Sequence, residues 1–128
     1  MKLLLAEEGS GQAAELWDGA AAVRMASVGY AEVRAALAAA RRSRRLSRGG
    51  LATARAKLER RWSEIDVQDL DDLLVRMAGD VAETFALRAL DAVHLAAALA
   101  LDDEELVFAS WDERLRTAAQ TEGLAVAP

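Results

Sequence analysis

No cysteine occurs in the chain, which excludes disulfides and thiolate metal sites and makes a cytoplasmic protein the default. Proline appears once and aromatic residues make up 5%, a composition that favours helix in a chain dominated by alanine and leucine. No apolar run approaches the roughly 18–20 residues of a membrane span. The opening run Leu3–Ala6 is too short for a signal peptide, and Glu7 and Glu8 follow it at once. Repeats, low-complexity linkers and internal domain boundaries are absent. So are the glycine-rich dinucleotide fingerprint, the phosphate-binding loop and the nucleophile elbow, which removes the commonest nucleotide-binding and acyl-transfer readings.

What is present describes one domain, residues 1–128, large enough for a hydrophobic core. Hydrophobic residues make up 53% and the mean hydropathy is +0.04, values of a globular chain. The net charge is -5, but it is unevenly spread. Residues 41–61 carry Arg41, Arg42, Arg44, Arg45, Arg48, Arg55, Lys57, Arg60 and Arg61 against Glu59 alone. Residues 64–83 carry seven acids against Arg76. A basic block of this kind is either a solvated helix pair or a contact for a polyanion, because clustered arginine supplies most sequence-independent affinity for nucleic acid.

The periodicity predicts a short helix over about 11–18 and a strand over Val23–Ala26. Ser27 is placed to cap a helix running to about Arg44. Leu51, Ala54, Leu58, Trp62 and Ile65 predict a helix over about 50–62, with a short strand at Ile65–Val67. Leu70, Leu73, Leu74, Met77, Ala78, Val81 and Phe85 mark an amphipathic helix. In the next helix, Leu90, Val93, His94, Ala97 and Leu101 form the expected core face. Leu106–Ala109 reads as a buried strand. Ser110-Trp111-Asp112-Glu113 matches a capping box with Ser110 as N-cap. The helix that follows runs to about Glu122, Gly123 can close it, and Leu124–Ala127 reads as an edge strand. Short apolar strands alternating with helices indicate an α/β fold with a central, mostly parallel sheet flanked by helices. Ligands of such folds bind beyond the carboxyl ends of the strands.

Three acids sit in apolar surroundings: Glu32 in Tyr30-Ala31-Glu32-Val33, Asp91 in Leu87–Ala98, and Asp112 after Val107-Phe108-Ala109. One sheet edge is expected to gather them around a divalent cation. An oxygen-only set suits Mg²⁺ or Mn²⁺ and argues against zinc. Each acid also has a structural account. Asp112 can be a helix cap, Glu32 can face solvent, and acids near helix N-termini favour the macrodipole. Asp91 is hardest to assign to structure alone, because its neighbours are apolar on every side and a buried carboxylate needs a partner or a cation. His94, about 60° around the helix from Asp91, reads as a hydrogen-bonded core histidine. Trp17, Trp62, Trp111, Tyr30 and Phe85 read as packing residues.

Leu87–Ala98 and Phe108–Leu115, together with Ser27–Arg34 and the opening Lys2–Ser10, resemble the PIN-domain ribonucleases. Within them the chain looks most like the VapC toxins of bacterial VapBC toxin–antitoxin pairs. The resemblance covers essentially the whole chain. It implies a PIN-like three-layer α/β fold and Mg²⁺- or Mn²⁺-dependent endonucleolytic cleavage of RNA, leaving a 5′-phosphate and a 3′-hydroxyl. In the cell this would arrest translation. By position, Glu32, Asp91 and Asp112 correspond to the family's second, third and fourth catalytic and metal-binding acids, and Ser110 to its small hydroxyl residue. Arg41, Arg42, Arg44, Arg45 and Arg48 would hold the RNA backbone. The resemblance also implies a cognate VapB-like antitoxin, a homodimer, and no membrane partner.

One feature departs from the family pattern. Family members open with a buried strand ending in an aspartate, upstream of the position of Lys2. Here the first acids are Glu7 and Glu8, in a turn, so the N-terminal strand and the first acid are expected to be missing from residues 1–128. Either Met1 is a misplaced start, read from a valine codon, or the chain is truncated. The first gives an active nuclease. The second gives a catalytically impaired PIN-like remnant that acts only as an antitoxin- or RNA-binding module. A plain α/β scaffold whose acids are caps is the third alternative.

Overall fold

The computed structural model describes residues 1–128, which fall into two units, Met1–Val67 and Gln68–Pro128. In the first unit the chain forms α1 (Ser10–Gly19), β1 (Arg24–Ala26), α2 (Val28–Arg42) and α3 (Arg48–Trp62), and enters β2 (Asp66–Gln68). Ser47 starts α3, its hydroxyl accepting from the Gly50 N–H at 2.9 Å. Such a cap satisfies one of the donors that a helix N-terminus leaves without an intrahelical partner. Ser27 stands at the N-cap of α2 without a side-chain cap bond. Helices α2 and α3 pack together, and Leu37, Ala54 and Leu58 join Leu4 in a buried cluster. Tyr30, Val33, Leu46 and Trp62 close around that cluster. Trp62 lies edge-on to Tyr30, with ring centroids 5.2 Å apart. The packing role expected of these two aromatics is what the structure shows.

The second unit contains α4 (Asp72–Phe85), α5 (Ala89–Leu99), β3 (Val107–Ala109), α6 (Glu113–Thr121) and β4 (Ala125–Ala127). Asp71 caps α4, accepting from the Leu74 N–H at 2.8 Å. Helices α4 and α5 are closely packed. Leu95, Leu115, Ala118 and Ala119 form the buried cluster, covered by Val81, Phe85, Phe108, Leu124 and Val126 among others. Strands β3 and β4 run parallel, Val107 opposite Ala125 and Ala109 opposite Ala127. Helix α6 supplies the crossover between them, as a parallel pair requires. Gly123 has φ +90° and closes α6, a conformation that costs glycine little and other residues more.

The alternation of helix and strand bears out the expected α/β class. Three details differ from expectation. The four strands form two two-stranded sheets, β1–β2 and β3–β4, instead of one central sheet. Each strand is only three residues long, and which strands pair is decided by tertiary packing that local periodicity does not encode. In α5 the buried face is Ala92, Leu95, Ala96, Ala97 and Ala98. Leu90, assigned to the core, is 43% exposed. Leu73, among the residues that mark α4 as amphipathic, is 70% exposed, while Leu74 and Ala78 are buried.

Candidate functional site

Asp91 and Asp112 each stand at a helix N-terminus. Asp91 is the third residue of α5, and Asp112 is the N-cap of α6. Unpaired backbone N–H groups and the macrodipole make both positions favourable for a carboxylate. Asp112 has extended backbone (φ -85°, ψ 115°), and its Oδ1 accepts from the Leu115 N–H at 3.0 Å. The cap is therefore Asp112 and not Ser110 as expected. The reason is that Ser110 still belongs to the strand: its N–H donates to the Ala127 carbonyl at 2.8 Å, continuing the β3–β4 pairing. Its hydroxyl accepts from the Asp112 N–H at 3.1 Å. Ser110 thus ties the N-cap of α6 to the end of the sheet.

One cation joins the two acids. The Nε of Arg88, the N-cap residue of α5, donates to Asp91 Oδ2 at 2.7 Å. Its Nη2 lies 3.6 Å from Asp112 Oδ2. The Asp91 side chain is 23% exposed, that of Asp112 44%, and that of Arg88 79%. The partner that Asp91 was expected to need is therefore Arg88, three residues back at the start of the same helix. The two Oδ2 atoms face the same guanidinium. Two carboxylate oxygens fit a hard divalent ion, since Mg²⁺ is commonly held by one or two carboxylates, with water and substrate phosphate completing its shell. His94 is half-buried on α5.

Glu32 lies in the first unit, half-buried in the second turn of α2. Within neither unit do three His, Asp or Glu side chains converge closely enough to hold a metal. The expected three-acid cluster is thus represented by the pair Asp91 and Asp112, with Ser110 beside it. The basic block is in the first unit, where Arg42, Arg44, Arg45 and Arg48 are exposed and Arg41 is half-buried around the α2–α3 turn. Arg41 and Arg42 occupy the last turn of α2, where cations complement the dipole. Arg44 turns the chain with φ 60°.

Two elements of this arrangement were missed at the level of sequence. Arg88 had no assigned role, although its spacing of three from Asp91 at a helix start is the local signal for such a pair. The other is the set around Tyr30, whose hydroxyl donates to Glu59 Oε1 at 2.6 Å and accepts from Arg34 Nη1 at 2.8 Å. Its members lie on two helices, so no spacing rule could bring them together.

Residues 1–120 match the PIN domain family, and the chain belongs to it. It is 46% identical over all 128 residues to Ribonuclease VapC45 of Mycobacterium tuberculosis (strain CDC 1551 / Oshkosh). The same identity holds to Ribonuclease VapC49 of M. tuberculosis (strain ATCC 25618 / H37Rv), and the chain covers 89% of each relative. Within the PIN family the chain is therefore of the VapC type, as the resemblance of its Leu87–Ala98 and Phe108–Leu115 segments implied.

Proposed function

We propose that the chain is a Mg²⁺- or Mn²⁺-dependent endoribonuclease, the toxin of a VapBC-type toxin–antitoxin pair. The observation that carries this reading is the convergence of Asp91 Oδ2 and Asp112 Oδ2 on a single positive group. The names of its relatives, both ribonucleases, support the reaction class. When bound, a divalent cation supplies a more acidic water and offsets charge on the phosphate oxygens. Asp91 and Asp112 hold the cation, each carboxylate oriented by its helix. Ser110 keeps Asp112 in register with the sheet end. Glu32 is the further acid that the family resemblance assigns to the reaction. Arg41, Arg42, Arg44, Arg45 and Arg48 neutralise phosphates of the RNA, which an acidic site would otherwise repel. The family match spans both units, which supports treating residues 1–128 as one PIN domain.

Translational arrest follows from RNA cleavage, and a cognate VapB-like antitoxin would restrain it by placing a basic side chain on the carboxylates. A homodimer acting in the cytoplasm is the assembly in keeping with the family. No helix is long and apolar enough to cross a membrane.

The test is cleavage of labelled RNA by the full chain, with Mg²⁺ or Mn²⁺ and with chelator, for wild type and Asp91→Asn. Cation-dependent cleavage that Asp91→Asn abolishes, with unchanged circular dichroism, is the expected result. Equal cleavage by the variant, or cleavage in chelator, refutes the reading. A second reading is a catalytically impaired module that binds antitoxin or RNA without cutting. RNA binding by wild type with no cleavage under any cation selects it.

A further inference from the structure

We propose that Arg88 is a positioning residue that competes with the divalent cation. Its guanidinium holds Asp91 and Asp112 in the metal-free chain and is displaced when the cation enters. The inference rests on the metal-dependent reading above. Four observations carry it.

The first is the choice of atoms. Arg88 engages Oδ2 of both carboxylates, and Asp112 Oδ1 is already committed to the Leu115 N–H. Oδ2 is thus the Asp112 atom that a cation would use, and it is the atom Arg88 faces. The second is charge. A guanidinium and a divalent ion drawn to the same two oxygens repel each other at contact distances, so occupancy by one lowers occupancy by the other. The third is freedom to leave. The Arg88 side chain is 79% exposed, so its departure to solvent uncovers little apolar surface. The fourth is that Arg88, at the N-cap of α5, makes no side-chain cap bond there. Releasing it costs the helix no cap.

The consequence is a site whose carboxylates are held together before the cation arrives, at the expense of apparent affinity. If the pair is closed for about two-thirds to nine-tenths of the time, the apparent metal Kd is weakened by about three- to ten-fold.

The test uses the full chain and Mn²⁺ alone, with wild type, Arg88→Gln, Arg88→Lys and Asp91→Asn. Calorimetric titration is expected to show Arg88→Gln binding Mn²⁺ about three- to ten-fold tighter, Arg88→Lys close to wild type, and Asp91→Asn not at all. Thermal melting adds a readout that a merely structural arginine would not move. In chelator Arg88→Gln melts below wild type, and at saturating Mn²⁺ the gap closes, because the cation has already displaced Arg88 in wild type. Unchanged or weaker Mn²⁺ binding by Arg88→Gln overturns the inference, as does a melting gap that persists with Mn²⁺. If wild type binds Mn²⁺ through Asp91 but Arg88→Gln does not change it, only this inference fails. If neither binds, the metal reading falls with it.

Discussion

Asp112 has two separable jobs, and substitution can divide them. Its Oδ1 caps α6 through the Leu115 N–H, while its Oδ2 faces Arg88, where the proposed cation would bind. Asparagine caps a helix about as well as aspartate but lacks the charge. Asp112→Asn is therefore expected to keep the cap and lose the metal. Its stability falls by only about 0.5 kcal/mol, from the dipole interaction and from an ion pair exposed enough to be discounted heavily. Asp112→Ala loses the cap bond as well, worth about 1 kcal/mol, for a total near 1.5 kcal/mol. In a chain of this size 1 kcal/mol moves Tm by about 3–6 °C, so the two variants should melt several degrees apart. Both should be equally poor nucleases. The assay pairs urea or thermal unfolding in chelator with RNA cleavage and Mn²⁺ titration. If Asp112→Asn cuts RNA and binds Mn²⁺ like wild type while Asp112→Ala is merely less stable, Asp112 is a cap and nothing more, and the two-carboxylate site is wrong.

Three further outcomes can be measured. Leu95 is fully buried among Leu115, Ala118 and Ala119, so Leu95→Ala should lower unfolding free energy by about 2–5 kcal/mol; a loss under 1 kcal/mol in urea titration would contradict the core assignment. The double variant Arg44→Gln/Arg45→Gln, made in the Asp91→Asn chain so that RNA stays intact, should weaken RNA binding and flatten its salt dependence. If both arginines touch phosphate, the slope of log K against log salt drops by about 1.4, and an unchanged slope removes them from the interface. Tyr30→Phe deletes the hydroxyl between Glu59 and Arg34 but keeps the ring on Trp62. It should cost about 0.5–1.5 kcal/mol, and a neutral effect in the same unfolding assay would mean that the surface hydrogen bonds contribute nothing net.

The elements best read from sequence were those whose ends carry their own chemistry. Helix α6 is an instance in its body and end, with buried Leu115, Ala118 and Ala119 at helical spacing and Gly123 at φ +90° after it, although its cap is Asp112 and not Ser110. Helix α3 is another, expected over about 50–62 and found over Arg48–Trp62, its start fixed by the Ser47 cap. The face of α5 was harder. From Ala89 to Leu99 only Asp91 and His94 are polar, so the pattern contains little to say which side is wet, and Leu90 was placed inside although it is 43% exposed. Helix α4 fails differently. Leu73 and Leu74 are adjacent, and helical geometry buries one of them, Leu74. Strand pairing was least legible, because three-residue strands such as Val107–Ala109 and Ala125–Ala127 find each other only after α6 has folded between them.

The acids follow the same logic. Asp91 was legible because a carboxylate among alanines and leucines carries an energetic cost that something must offset. Such a carboxylate needs a partner or a cation, and Arg88, 2.7 Å away, is the partner. Its identity was hidden because arginine three residues before an aspartate is ordinary on a helix surface. What makes this pair unusual is Asp112, which reaches the same guanidinium from the end of β3, a tertiary meeting that no spacing in the chain encodes. A guanidinium bridging two carboxylates from two helix N-termini is a poor use of an exposed arginine if stability is its purpose, since exposed pairs contribute little. It is a sensible arrangement if the carboxylates are kept for another cation, because without Arg88 two like charges at one sheet end would drift apart.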